Sequence, residues 1–416
     1  MKVTLRHTRF AKTALRQKRR FAWRCAAGAL RWRLPMITDT TRAKHVYFLY
    51  YAASAALLPV LSLYYQQAGL RGAQIGLLTA LWPAGSVLGA AAWSAVADAT
   101  GRHRALLMAA TGMTVIVSQL LLVGSSFWVL MPIALGFALF SSPIVPIVDD
   151  AVLTILADRR SHYGRLRLWG AVGWGISAPL VGLLVDAAGL SMSIPVYGVL
   201  MTGMMISAAR LPVGRGATGA NVLNGLRTML KDPRWVVFLS IVLMRGIGGA
   251  FVHHYLFIYL ADIGGGGTLR GIALAVATAS ELAAYLLAER LVRRVGARRI
   301  LFISLLATTV RLLLYSVITN PIVALAPQLL HGVTFALFLV AGVNYAREIA
   351  PEGISATAQA VFTSTNMGVG GFIGALLGGW LYELFGIQRM YLIAAGIGLI
   401  ALVGFLIGSV RQRRRA

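Results

Sequence analysis

Apolar residues in this chain come in long unbroken runs rather than in the alternation of a strand or the one-sided stripe of a surface helix. Twelve runs of about twenty residues, nearly free of charge, recur at 45–66, 73–96, 104–124, 127–149, 168–188, 192–211, 235–260, 270–290, 299–319, 322–346, 357–382 and 389–410. A helix of about 20 residues crosses about 30 Å of hydrocarbon, so the pattern predicts an all-α membrane protein with twelve transmembrane helices. The connections are short except 212–234, where Pro212, Gly214, Gly216, Pro233 and scattered arginines form a polar linker. That linker splits the spans six and six. The expected organisation is a basic tail over 1–44, a six-helix bundle over 45–211, the linker, a second bundle over 235–410 and a short basic tail over 411–416.

Composition strengthens this picture and excludes others. Hydrophobic residues make up 58% of the chain and charged ones only 12%, whereas a soluble domain keeps about a quarter of its residues charged. Cys25 is the only cysteine, so a disulfide scaffold is excluded. Forty-five glycines suit helices that pack backbone to backbone in lipid. The formal charge of +26, from 39 Lys and Arg against 13 Asp and Glu, reads in isolation as a nucleic-acid binder. Its distribution says otherwise. With both termini on one side, 34 of the 39 basic residues fall on that side; Arg71, Arg270 and Arg389 fall on the other, and Arg245 and Arg311 inside spans. The positive-inside rule makes that side cytoplasmic and the membrane a plasma (bacterial inner) membrane. Lipid and a small-molecule solute are the expected partners, with no nucleic acid, and a monomer is expected. In the N-terminal tail, Arg19-Arg20-Phe21 is followed only by the short apolar stretch 26–30, too short for a signal peptide. The tail reads as a solvated basic segment near anionic headgroups, and Met36 offers an alternative start.

The halves repeat. Gly69-Leu70-Arg71-Gly72 leads into span two as Gly267-Thr268-Leu269-Arg270-Gly271 leads into span eight, and Gly101 and Gly296 close the turns that follow. Two parallel repeats around a central site are a mark of secondary transporters. The turn after span two, Asp98-Ala99-Thr100-Gly101-Arg102-His103-Arg104, resembles the signature of the major facilitator superfamily: an Asp, a two-residue gap, a Gly and a basic cluster. There Asp98 accepts hydrogen bonds at a helix end, Gly101 permits the tight turn, and Arg102 and Arg104 latch a neighbouring helix. Ser94 departs from that family's usual glycine, and in the second copy Arg293 stands where Asp would be.

An ionised side chain at membrane depth costs at least about 2.5–3.5 kcal/mol, so such residues face a cavity and a partner. Candidates are Asp149 and Asp150 at the end of span four, Arg245 in span seven, Glu281 in span eight, Arg311 in span nine and His331 in span ten. Glu281, Arg311 and His331 on consecutive helices favour one polar cluster, either a structural Glu281–Arg311 pair or a carboxylate that exchanges a proton. The run from His162 to Trp174 resembles the start of span five in the lactose-permease and phenylpropionate-permease group. That resemblance implies an Arg167–Asp149 pair at the solute site, with Trp174 as the stacking aromatic; Asp149 replaces the sugar carriers' Glu. It extends through Glu281, Arg311, Leu330-His331-Gly332, Pro351-Glu352-Gly353, Ala358-Gln359 and Trp380-Leu381-Tyr382-Glu383. Thr334 departs from it, because the lactose permease has a proton-carrying glutamate there. Glu281 and Asp150 are the remaining candidate proton carriers. Asn344, Asn366 and Gln359 serve either the solute or interhelical bonds, and His253-His254 either line the cavity or carry protons. Pro59, Pro83, Pro132, Pro143 and Pro179 mark candidate kinks.

The resulting expectation is a secondary transporter moving a small polar or anionic organic solute by alternating access. Asp149, Arg167, Trp174, Asn344 and Gln359 would hold the solute; Glu281, Arg311, His331 and Asp150 would couple it to protons. No cofactor or metal is expected, a proton gradient being the energy source. Alternatives are proton-antiport efflux and a non-transporting sensor on a carrier fold. An enzyme is not expected, since no metal-ligand spacing, nucleophile elbow or phosphate loop is present.

Overall fold

The computed structural model describes residues 39–156, 162–212, 227, 229–351 and 354–413. The expectations for the N-terminal tail before Asp39, for Arg159 and Arg160, for most of the polar linker and for Glu352-Gly353 lie outside the described residues, as does the side chain of Asp98.

Twelve long helices follow one another: α1 (Asp39–Gln67), α2 (Gly72–Thr100), α3 (His103–Leu122), α4 (Phe127–Leu156), α5 (Tyr163–Ala188), α6 (Leu190–Ala208), α7 (Pro233–Asp262), α8 (Gly267–Val295), α9 (Ala297–Val317), α10 (Val323–Glu348), α11 (Thr357–Phe385) and α12 (Ile387–Arg413). Eleven satisfy the length and apolarity needed to cross a membrane. The remaining one, α2, is 29 residues long. In hydrocarbon every backbone N–H and C=O must be satisfied internally, which is why uncharged twenty-residue runs become helices rather than loops. Bulky apolar side chains such as Trp128, Leu286 and Val199 stand more than 70% exposed on the outer faces, where lipid replaces water as their solvent.

The repeat is written in the turns. Among the described residues, six glycines have positive φ: Gly69, Gly101, Gly189, Gly264, Gly296 and Gly386. They form three pairs, Gly69 with Gly264, Gly101 with Gly296 and Gly189 with Gly386, separated by 195, 195 and 197 residues. Each ends a helix in a conformation that a Cβ makes costly.

Among the helix boundaries that move relative to the sequence reading, two concern the site. The fourth span does not end at Asp149-Asp150: α4 runs on to Leu156, so both carboxylates sit inside a helix. The fifth begins at Tyr163, not 168, so Arg167 lies one turn within α5. Pro59, Pro83, Pro132 and Pro179 are accommodated within continuous helix, whereas Pro143 sits in a two-residue turn between Ser141 and Ile144. Neither α10 nor α11 is uniform. In α10 a 3-10 segment, Val323–Leu330, passes into a π segment, Gly332–Leu337, and α11 carries a π segment at Ser364–Val369.

The first six helices meet the last six mainly through α5 against α8, α2 against α11 and α1 against α7. The first two contacts are seams of small residues. A Cβ on Gly271 would lie 2.6 Å from Pro179 Cα, and one on Gly76 would lie 2.8 Å from the Ala375 carbonyl oxygen. Both seams lie at the end of the molecule opposite the start of α1. A carboxylate closes each one. Asp186 at the end of α5 accepts from Gly267 N–H (2.5 Å), Thr268 N–H (2.7 Å) and the Thr268 hydroxyl (2.6 Å) at the start of α8. Glu383 at the end of α11 accepts from Ala73 N–H (2.8 Å) at the start of α2. Each acid thus satisfies the orphan donors of a helix N-terminus belonging to the other half.

Candidate functional site

Apart from Asp150 and Arg245, the charged side chains singled out inside the spans fall into two clusters, one in each half. In the first half, Asp149 of α4 joins three helices. Its Oδ1 accepts from the Tyr47 hydroxyl of α1 at 2.6 Å, and its Oδ2 accepts from Arg167 Nη1 of α5 at 2.8 Å. Arg167 also donates to the Tyr163 hydroxyl one turn earlier on α5 (2.6 Å) and to the Tyr51 hydroxyl of α1 (3.3 Å). The arginine side chain is 44% exposed and the aspartate 22%, so the pair stands at a cavity wall rather than in a sealed core. Trp174 follows Arg167 by seven residues, two turns along the same face of α5, and is half-buried. Asp150 lies about 100° further round α4 and has no ion-pair partner among the described residues.

The second cluster is built differently. The direct Glu281–Arg311 pair weighed from the sequence is replaced by a relay through His331. His331 Nε2 lies 3.6 Å from Glu281 Oε2 of α8, and its Nδ1 lies 3.0 Å from Arg311 Nη1 of α9. A guanidinium can only donate, so Nδ1 accepts and the imidazole proton sits on Nε2, facing the carboxylate. The rest of the Arg311 fork is held by neutral oxygens: Tyr315 Oη (3.2 Å), Thr334 Oγ1 (3.2 Å) and Gln328 Oε1 (2.8 Å). Gln328 is fixed in turn by its own bond to Tyr315 Oη at 2.8 Å. Phe335, one turn after His331, stacks on the imidazole at 5.2 Å. Tyr285, one turn after Glu281 on α8, lies within electrostatic reach of Glu281, Arg167 and Tyr51, so the two clusters address a common space.

Other residues singled out in the sequence lie elsewhere. Asn344, exposed, donates to the Val340 carbonyl, and Gln359, half-buried, accepts from Arg347 Nη2 at 3.2 Å. Asn344 is thirteen residues beyond His331, about 20 Å along the helix. At the signature turn, Gly101 takes φ 63° and its N–H caps the Ala97 carbonyl. Arg102 is exposed, and Arg104 Nη2 reaches the Leu211 carbonyl just past α6 at 3.0 Å. His253 and His254 line a narrow cavity of about 30 Å³ between the halves, with Leu58, Thr79, Trp82 and Phe137. Sequence reasoning missed Tyr47, Tyr163 and Gln328. Tyr163 and Gln328 sit at helical spacing before Arg167 and His331 and were open to detection; Tyr47 comes from a distant helix, and nothing in the sequence ties it to Asp149.

A model of the MFS_1-like family matches residues 40–393. The chain belongs to that family. It is 28% identical over 379 residues to the maltose permease of Geobacillus stearothermophilus, covering 88% of this chain and 94% of that one. It is 26% identical over 357 residues to the probable 3-phenylpropionic acid transporter of Escherichia coli, covering 84% and 93%. The solved structure of the nucleoside transporter NupG superposes with a TM-score of 0.80 at 16% identity over 89% of this chain and 99% of that one. A bacterial homologue of the lysosomal transporter Spinster, inward-facing and unoccupied, gives 0.69 at 13% over 89% and 96%. This MFS_1-like chain is an integral membrane transporter with the major facilitator fold, not an enzyme.

Proposed function

We propose that this transporter moves a small polar or anionic organic solute into the cell by proton symport, with its basic end in the cytoplasm of a bacterial inner membrane. The count of 34 basic residues on the side of the termini supports that orientation. With the opposite end sealed by the two glycine seams, the cavity then opens inward. The relatives' names span a sugar and an aromatic acid. Both classes suit a wall that offers the Arg167 fork beside Trp174.

The observation that carries the coupling is the Glu281–His331–Arg311 relay. The Nε2–H of His331 faces Glu281 across 3.6 Å, so a proton arriving on the carboxylate changes the partner that the imidazole sees. That change reaches Arg311 through Nδ1. Thr334 beside Arg311 cannot ionise, and of the two remaining acids, Glu281 and Asp150, Glu281 is the one that faces the relay.

The test is uptake into proteoliposomes with and without an inward-directed proton gradient, across sugars, nucleosides and aromatic acids. Wild type should accumulate its solute only with the gradient. Glu281→Gln should lose gradient-driven accumulation by tenfold or more yet retain solute exchange. Undiminished accumulation by Glu281→Gln would remove the relay from the mechanism.

A further inference from the structure

Arg245, near the middle of α7, is the cation that neither cluster explains. It is 8% exposed, and no carboxylate pairs with it among the described residues. Its surroundings are nevertheless built around it. Nη2 donates to the Thr334 carbonyl, and Nη1 to Asn366 Oδ1 at 3.2 Å; the guanidinium lies 4.4 Å over the Phe338 ring. Thr334 belongs to the π segment of α10 and Asn366 to that of α11. A π turn shifts its carbonyls out of the regular i→i−4 ladder, and such turns recur at functional sites. Two neighbouring helices are therefore each distorted where they meet one arginine. Gly246, the next residue, removes the side chain that would otherwise hold α7 away from the Asn366 backbone.

The acceptors run out before the donors do. Arg245 Nε and Asn366 Nδ2 are buried and have no protein acceptor, and they belong to the same bonded pair. Arg311 shares Thr334 with Arg245, taking its hydroxyl while Arg245 takes its carbonyl. Two permanently charged guanidinium groups thus flank one threonine, and Glu281, the acid of that cluster, is engaged by His331. Buried donors without acceptors and buried cations without anions are both costly. One chemical group relieves both deficits: a carboxylate, which brings a negative charge and two acceptor oxygens in a geometry that matches the guanidinium fork.

We infer that Arg245 and Asn366, backed by Arg311, form a subsite for the carboxylate of an organic anion, which makes the transported solute a monocarboxylate. This rests on the transport reading above and narrows its solute class.

Purified full-length protein in lipid nanodiscs tests it. The probes are acetate, benzoate and 3-phenylpropionate, each paired with its uncharged amide, together with maltose and chloride alone. At least one carboxylate should bind tenfold or more tightly than its amide by calorimetry. Arg245→Gln should erase that preference. Asn366→Asp supplies an internal carboxylate to Arg245; it should raise the melting temperature of the ligand-free protein and weaken carboxylate binding at least tenfold. It decides the matter even if Arg245→Gln does not fold. The inference is overturned if no carboxylate binds, if amides bind as tightly as acids, if Asn366→Asp binds carboxylates like wild type, or if chloride alone gives the full stabilisation. Uptake by the same protein in liposomes separates the two readings. Transport confined to maltose sinks the carboxylate subsite and leaves the transporter standing. Carboxylate binding without transport of any probe keeps the subsite and sinks the symport reading.

Discussion

The two halves share a turn pattern and a fold, yet they treat charge in opposite ways. In the first half Arg167 is neutralised at 2.8 Å by Asp149, and tyrosine hydroxyls complete the set around a half-open pair. In the second, Arg245 and Arg311 are 8% and 4% exposed and are held by amide, hydroxyl and carbonyl oxygens. A paired, exposed charge can exchange its partner for a solute group at little cost. A buried cation resting on neutral acceptors stores an imbalance that something charged must relieve. The first arrangement suits recognition of a passing solute. The second suits a site whose energy changes when charge arrives.

Breaking the pair in the first half should have the largest effect. Arg167→Gln or Asp149→Asn removes a charge-assisted bond, worth about 1.5–3 kcal/mol, so uptake should fall about tenfold to hundredfold. The double variant should be no worse than either single one, because the two residues act as a unit. Additive losses in uptake kinetics would mean that the pair is incidental. In the second half the sign of the stability change should reverse. A buried ion that no opposite charge repays keeps a desolvation cost of several kcal/mol. Arg245→Met should therefore raise the melting temperature while reducing uptake, whereas Asp149→Asn should lower it; thermal unfolding in the same detergent reads both. Tyr47→Phe removes one donor from Asp149 and leaves the arginine in place, so a threefold to tenfold loss of apparent affinity is expected, roughly 1 kcal/mol. The smallest effects belong to Asn344→Ala and Gln359→Ala, whose bonds lie outside both clusters. Each should leave uptake within about twofold of wild type, and a larger loss would extend the site toward the basic end.

Sequence alone reached far into this fold because lipid imposes so simple a rule. Twenty uncharged residues must become a helix, and the basic turns then orient it. The site was less legible. Asp149 stood out as an acid at membrane depth, but its pairing with Arg167, and Trp174 beside it, came only through the resemblance to known permeases, since eighteen residues separate the ion pair and no local pattern joins it. The Asp149-Asp150 doublet reads as a helix end because two acids look like a boundary, yet both lie within α4, where Asp149 faces its polar cluster. Arg245 stood out as a charge in a span, but its meaning depends on π segments in α10 and α11. Pro327 in the 3-10 turn and Gly332 and Gly368 in the π segments have low helical preference, but they do not by themselves announce a π turn.

The carboxylates that close the far end are also unequal, and that inequality sets an order of events. Asp186 grips α8 with three hydrogen bonds, whereas Glu383 holds α2 with one. Beside Glu383, Gln66 of α1 donates to the Tyr382 hydroxyl of α11 at 2.7 Å, so two side-chain bonds hold that edge against three between α5 and α8. If resistance to parting follows these bonds, the α2–α11 edge would open first and α5–α8 would act as the pivot, like a door rather than an even separation. Weakening the pivot with Asp186→Asn would turn that swing into a more even parting, whereas Glu383→Gln would only loosen the side that already leads.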